Sequence, residues 1–121
     1  MLALKRQSLR RRVGFALAGC VHGWRAERSV RLQALALLAV LGVLLFFRPA
    51  PVWWACAMLA SAGVIAVEFL NTALEALADR LVPEADEAIR IVKDCAAAAS
   101  LIAACGALGV AAAFVAMLLA R

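Results

Sequence analysis

Four polar side chains interrupt an otherwise apolar stretch: Glu68, Asn71, Glu75 and Asp79, spaced i, i+3, i+7 and i+11. On a helix turning about 100° per residue they fall within an arc of roughly 80°, on one stripe. The stripe runs roughly 16 Å along the axis, with Glu68 deepest in the apolar run and Asp79 nearest water. A charge at such depth costs on the order of a few kcal/mol, so a cation, a metal or a bound proton must offset it. Three carboxylates on one stripe repel one another, which suits them poorly to a purely structural role. Carboxylates from two helices hold Mg²⁺, a hard cation that keeps phosphate oxygens in its shell. Lys93 and the arginines would neutralise remaining phosphate charge. A carboxylate at the lipid boundary would take the proton from a hydroxyl held at headgroup depth. These parts suffice for phosphoryl transfer to a lipid alcohol. On residue types alone, two other readings stay open: a small proton-coupled transporter subunit with Glu68 as the carrier, and an assembly subunit without chemistry. No G-x-x-x-x-G-K-[ST] or G-x-G-x-x-G run offers a glycine cradle for phosphates.

Such groups need elements to hold them. Of 121 residues, 67% are apolar and 17% charged, and mean hydropathy is +0.95. A soluble domain runs at roughly 45–50% apolar and about 25% charged. The excess excludes an ordinary soluble monomer and a disordered chain, and points to an integral membrane protein built from helices. At about 20 residues per span, three spans fill the chain, which reads as a single domain over 1–121. The pattern predicts an N-terminal amphipathic surface helix over about 5–28 and transmembrane helices over about 30–48, 52–81 and 93–120.

The surface helix places Leu9, Val13, Ala16, Leu17 and Cys20 opposite Arg11 and Arg12, a pattern that lies in a membrane interface. The first apolar run, Leu32 to Phe47, is bracketed by Arg31 and Arg48, and Arg48-Pro49-Ala50-Pro51 breaks it. Trp53 and Trp54 open the second run as an aromatic belt. Its helix continues through the acidic stripe to about Leu81, with Pro83 ending it. The segment from Pro83 to Asp94 is polar, and the third run, Cys95 to Ala120, is alanine-rich. Its Gly106 and Gly109 suit close helix contact.

Eight of the thirteen basic residues lie in the first 31 positions: Lys5, Arg6, Arg10, Arg11, Arg12, Arg25, Arg28 and Arg31. That bias sets the N-terminus on the cytoplasmic side. Three spans then gather all eight acids at the cytoplasmic face, Glu27 before the first span and the others between Glu68 and Asp94. Nucleic-acid binding is excluded as a reading of the charge, since no aromatic-interleaved basic motif accompanies it. Cys20, Cys56, Cys95 and Cys105 form no C-x-x-C pair, and His22 is the one histidine, so a zinc site is not expected. His22, Trp24, Trp53 and Trp54 read as interfacial residues.

The run Glu68-x-x-Asn71-Thr72-Ala73-Leu74-Glu75-Ala76-x-x-Asp79-Arg80, followed by Lys93-Asp94-x-Ala96-Ala97, resembles the signature of the prokaryotic diacylglycerol kinase and undecaprenol kinase family. Gly14-Phe15, Gly19, Trp24, Glu27 and Arg31 are similar to family positions in register with that core, so the resemblance covers roughly residues 10 to 115. It implies a homotrimer of three-span protomers in the bacterial inner membrane. Cytoplasmic active sites, shared between protomers, would transfer the γ-phosphoryl group of MgATP to a lipid hydroxyl. By resemblance, Glu68 is the general base, and Glu75 and Glu27 are the metal-binding carboxylates and also touch ATP. Arg10, Phe15, Glu84, Asp86, Lys93 and Asp94 contact the nucleotide. Asn71, Asp79, Trp24 and Arg31 orient the substrate or the site. Two departures stand out. Ser8 occupies a position usually basic, which hands that role to Arg10 or a neighbouring arginine, and Phe15 replaces a tyrosine found in some members. The segment from Glu27 to Gln33 is intermediate between the two kinase types, which leaves the acceptor open between diacylglycerol and undecaprenol.

Overall fold

The computed structural model describes residues 8–121. Four helices follow one another: α1 (Leu9–Ala26), α2 (Arg28–Phe47), α3 (Pro51–Leu81) and α4 (Glu87–Leu119). The start of the surface helix expected at about residue 5, with Lys5 and Arg6, lies outside the described residues. α2, α3 and α4 are each long and apolar enough to cross a membrane.

Each helix end has a local cause. Ser8 caps α1, its Oγ accepting from the Arg11 N–H at 3.4 Å. A single extended residue, Glu27 (φ −112°, ψ 115°), separates α1 from α2. Arg31 closes that corner, its Nη1 donating to the carbonyls of Trp24 at 2.8 Å and Arg25 at 3.2 Å. These are final-turn acceptors of α1 that the helix itself leaves unpaired. α2 ends in a left-handed residue, Arg48 (φ 47°), whose N–H donates to Leu44 O at 2.8 Å. Pro51 then opens α3 at a first-turn position where its missing N–H is no loss.

α4 begins at Glu87, ahead of the apolar run. Asp86 caps it, Oδ1 accepting from the Ile89 N–H at 3.1 Å, and Arg90 bridges Glu87 and Asp94 within its first turns. Capping and i, i+4 pairing carry the helix through residues whose polarity reads as a loop.

α3 and α4 pair most extensively, α2 packs on α3, and α1 meets α2. Among the described residues the buried apolar core is small, formed by Val30, Leu44, Ala78, Ala96 and Phe114. At one end Phe114 receives Phe47 and Trp53 edge-on, with ring centroids 5.9 and 5.4 Å away. An apolar groove of about 330 Å³ runs between α2, α3 and α4, lined by Val40, Leu44, Ala57, Ala107 and Phe114 among others. The close contact expected at Gly106 and Gly109 is not made among the described residues: a Cβ at either would meet nothing within 4 Å. These glycines face outward, where only lipid or another chain could reach them. The tight approach is at Gly23 instead, where a Cβ would stand 2.5 Å from Phe69 Cε1.

Candidate active site

Glu68 sits half-buried on α3, seventeen residues from Pro51, about 26 Å along the helix. That depth is near the far edge of a hydrocarbon core about 30 Å thick. Its Oε1 accepts a 2.7 Å hydrogen bond from Ser29 Oγ in the first turn of α2. The neighbouring residue, Phe69, lies under Gly23 of α1. Three helices therefore meet around one carboxylate: α3 carries it, α2 binds it, and α1 is pinned beside it. Glu27 occupies the α1–α2 corner. Its own N–H donates to Gly23 O at 2.9 Å, and its carboxylate makes no capping bond to α2.

One turn along α3, Asn71 donates from Nδ2 to Glu75 Oε1 at 3.4 Å, while Asn71 Oδ1 is buried without a partner. Further on, Asp79 Oδ1 accepts from Lys93 Nζ of α4 at 2.6 Å. Arg90 reaches Asp94 Oδ2 at 2.9 Å and Glu87 through two nitrogens. Around the α3–α4 loop these side chains border an open polar cleft of about 580 Å³, lined by Asp79, Glu84, Asp86, Glu87, Arg90, Lys93 and Asp94, with Val82, Pro83, Ala85 and Ile89. Five carboxylates face two cations there. Such a lining repels a bare polyphosphate and favours one that arrives with a divalent cation.

The expected site residues thus fall into two groups, one at each end of the α3 stripe. Trp24, Glu27, Arg31 and Glu68 belong to the helix corner. Asp79, Glu84, Asp86, Lys93 and Asp94 surround the cleft, and Asn71 and Glu75 lie between. Arg10 and Phe15 are exposed on the first two turns of α1. Neither takes part in a side-chain hydrogen bond or ion pair among the described residues. Arg31 is committed to backbone carbonyls and Asp86 to a helix cap, so both shape the site through the fold. Among the described residues no three Asp, Glu, His or Cys side chains gather as a ready-made metal cage. Mg²⁺ rarely needs one, taking one or two carboxylates and completing its shell with phosphate oxygens and water. The exposed Glu75 and the Glu27 carboxylate, unpaired among the described residues, fit that donor set.

Ser29, Gly23, Phe69 and Arg90 touch or adjoin the expected site residues, and the residue pattern left them without a role. Gly23 had a readable signal, because glycine inside a helix costs roughly 0.5–1 kcal/mol against alanine and implies a close approach. Arg90 stands three residues after Glu87 and four before Asp94, a legible pairing. Ser29 had none, since its partner is 39 residues away.

The profile described as prokaryotic diacylglycerol kinase matches residues 14–115. The chain belongs to that family. It is also 34% identical over 94 residues to a protein named diacylglycerol kinase from Synechocystis sp., a match covering 77% of this chain and 54% of the relative. The chain thus spans about half the length of that relative. The family match takes in every expected site residue except Arg10, which lies ahead of it. Family membership does not favour the transporter reading, which the residue types alone had left open.

Proposed function

We propose that this chain transfers the γ-phosphoryl group of MgATP to the hydroxyl of a membrane lipid, with diacylglycerol as the acceptor and phosphatidic acid as the product. The observation that carries the proposal is the pairing of a half-buried carboxylate at membrane-edge depth with a charged cleft farther along the same helix. The lipid hydroxyl is held at Glu68, which accepts its proton. The acceptor oxygen attacks the γ-phosphorus, and the bond to the bridging oxygen breaks with ADP carrying away the electron pair. Glu27 and Glu75 would hold Mg²⁺, which when bound would supply neutralisation of phosphate charge. Asn71 is a loose amide neighbour of Glu75, and its Oδ1, without a partner among the described residues, is open to a substrate donor. Lys93 and Asp94 contact the nucleotide at the cleft, with Glu84 and Asp86 at its rim. Arg10, Phe15, Trp24 and Arg31 act from the α1 side. Catalysis is then positioning and charge neutralisation, with no covalent enzyme intermediate.

In this reading α1 lies on the cytoplasmic face of the bacterial inner membrane, basic side toward the headgroups. The N-terminus and active site are cytoplasmic, and three copies assemble so that sites are shared. Outward-facing Gly106 and Gly109 support assembly, since small residues let helices approach closely in lipid. Undecaprenol is the second acceptor to be tested, because the corner segment Glu27–Gln33 combines features of both kinase types.

The test offers diacylglycerol and undecaprenol together to the purified full chain in lipid with labelled ATP, and separates the products by chromatography. Label in phosphatidic acid is expected. Label in the polyprenol alone would move the assignment to undecaprenol, and no lipid product would end the kinase reading. Glu68→Gln is expected to lower turnover about 100-fold or more with assembly unchanged. Full activity in that variant removes Glu68 from the role of base.

A further inference from the structure

Ser29 is the second residue of α2, and its hydroxyl lies 2.7 Å from Glu68 Oε1. We infer that Ser29 is a positioning residue for the proton-accepting carboxylate: it fixes Oε1 and so presents Oε2 to the acceptor hydroxyl. The inference rests on the lipid-kinase reading of Glu68.

The bond has the ordinary length of a well-formed hydroxyl–oxygen hydrogen bond. Both side chains are half-buried, where water competes weakly for them. A serine hydroxyl has one proton to give. With that proton on Oε1, Oε2 is left with no hydrogen-bond partner among the described residues. A glutamate has three side-chain torsions, and at a lipid boundary an untethered one swings toward water. The tether removes that freedom. The carboxylate also rests beside the first turn of α2, whose unpaired N–H groups favour negative charge.

The tether is itself held rigidly. Arg31, two residues after Ser29, clamps the α1–α2 corner through Trp24 O and Arg25 O. Phe69, next to Glu68, is wedged against Gly23. Each end of the hydrogen bond thus has a fixed neighbour, which is the support that a precisely placed base requires. In turnover Oε2 takes the acceptor proton, the acceptor oxygen forms its bond to phosphorus, and ADP leaves. Ser29 exchanges no atom.

The test compares variants of the full chain in lipid–detergent micelles with MgATP and diacylglycerol. Ser29→Ala is expected to lower kcat by about 10- to 50-fold, with both KM values within about twofold. Ser29→Thr keeps the donor and is expected to recover activity to within about threefold of the parent. Should the alanine variant fold poorly, the near-isosteric Ser29→Cys, a weak donor, replaces it with the same expected loss. In a Glu68→Asp background, where the shorter side chain no longer reaches the hydroxyl, Ser29→Ala is expected to cost nothing more. A merely structural serine would cost as much there as in the parent.

A second readout needs no turnover. The infrared difference spectrum between parent and Ser29→Ala should contain a shifted carboxylate stretch, and that feature should vanish when both carry Glu68→Gln. An unchanged kcat, an equal loss in both backgrounds, or a difference spectrum without a carboxylate band overturns the inference. If the parent phosphorylates no lipid alcohol, the kinase reading falls and the positioning role with it. The infrared band, still present, would identify that as the point of failure.

Discussion

Glu75 and Glu68 are both glutamates on one helical stripe, yet their surroundings differ in burial and in hydrogen bonding. Glu68 is half-buried and held by a hydroxyl, whereas Glu75 is exposed, touched only by the Asn71 amide at 3.4 Å. A loosely held, hydrated carboxylate is suited to a hydrated cation. Glu75→Gln is therefore expected to raise the Mg²⁺ concentration for half-maximal activity by roughly tenfold or more. An unchanged magnesium titration would remove Glu75 from the metal site. At this scale the sequence was highly legible, because helical spacing alone places Glu68, Asn71, Glu75 and Asp79 together. Ser29 was not legible, because its role depends on the antiparallel register of α2 against α3, which no local spacing encodes.

The elements are bound by a few specific contacts, and the corner between α1 and α2 depends on one of them. At Gly23 a methyl group would enter the Phe69 ring, 2.5 Å from Cε1 and 2.8 Å from Cζ. Overpacking of that kind costs typically 1–3 kcal/mol. Gly23→Ala should lower stability by about that amount, read by denaturant titration in micelles. Pairing it with Phe69→Leu should restore part of the loss. Additive losses in the double variant would show that the ring is not what the methyl meets. The Asp79–Lys93 pair between α3 and α4 is a different case. Its side chains are 68% and 41% exposed, and exposed pairs contribute about 0–1 kcal/mol. Lys93→Met should leave stability within about 1 kcal/mol while sharply raising the KM for MgATP. A large loss of stability with KM unchanged would make the lysine a strut. Three helices long and apolar enough to span a membrane were readable from the hydropathy pattern, whereas α4 begins at Glu87, six residues ahead of the expected start at 93. The start of α4 was harder to see, because Asp86 and Glu87 signal a helix N-terminus inside a segment whose charge reads as loop.

As a whole, the molecule exposes 9339 Å², against about 6,300 Å² for a compact water-soluble chain of 12.8 kDa. Many leucines and valines along α2, α3 and α4 are exposed, and acyl chains or further copies must cover them. The membrane class was legible from composition alone, but what covers each outward face was not, since lipid and a packed chain both call for apolar residues. The three spans also differ in length. α2 has 20 residues, about 30 Å, which just matches a hydrocarbon core. α3 has 31 and α4 has 33, so both overhang by about 15–20 Å and have length to spare. The shortest span is therefore the ruler. A thicker leaflet cannot be met by sliding α2, whose first turn is tethered to Glu68, so acyl-chain length governs how deep the carboxylate sits. Reconstitution across a series of phosphatidylcholines is expected to give a turnover maximum at one chain length and a fall on both sides. A flat series would mean that the bilayer, and not the protein, does the adjusting.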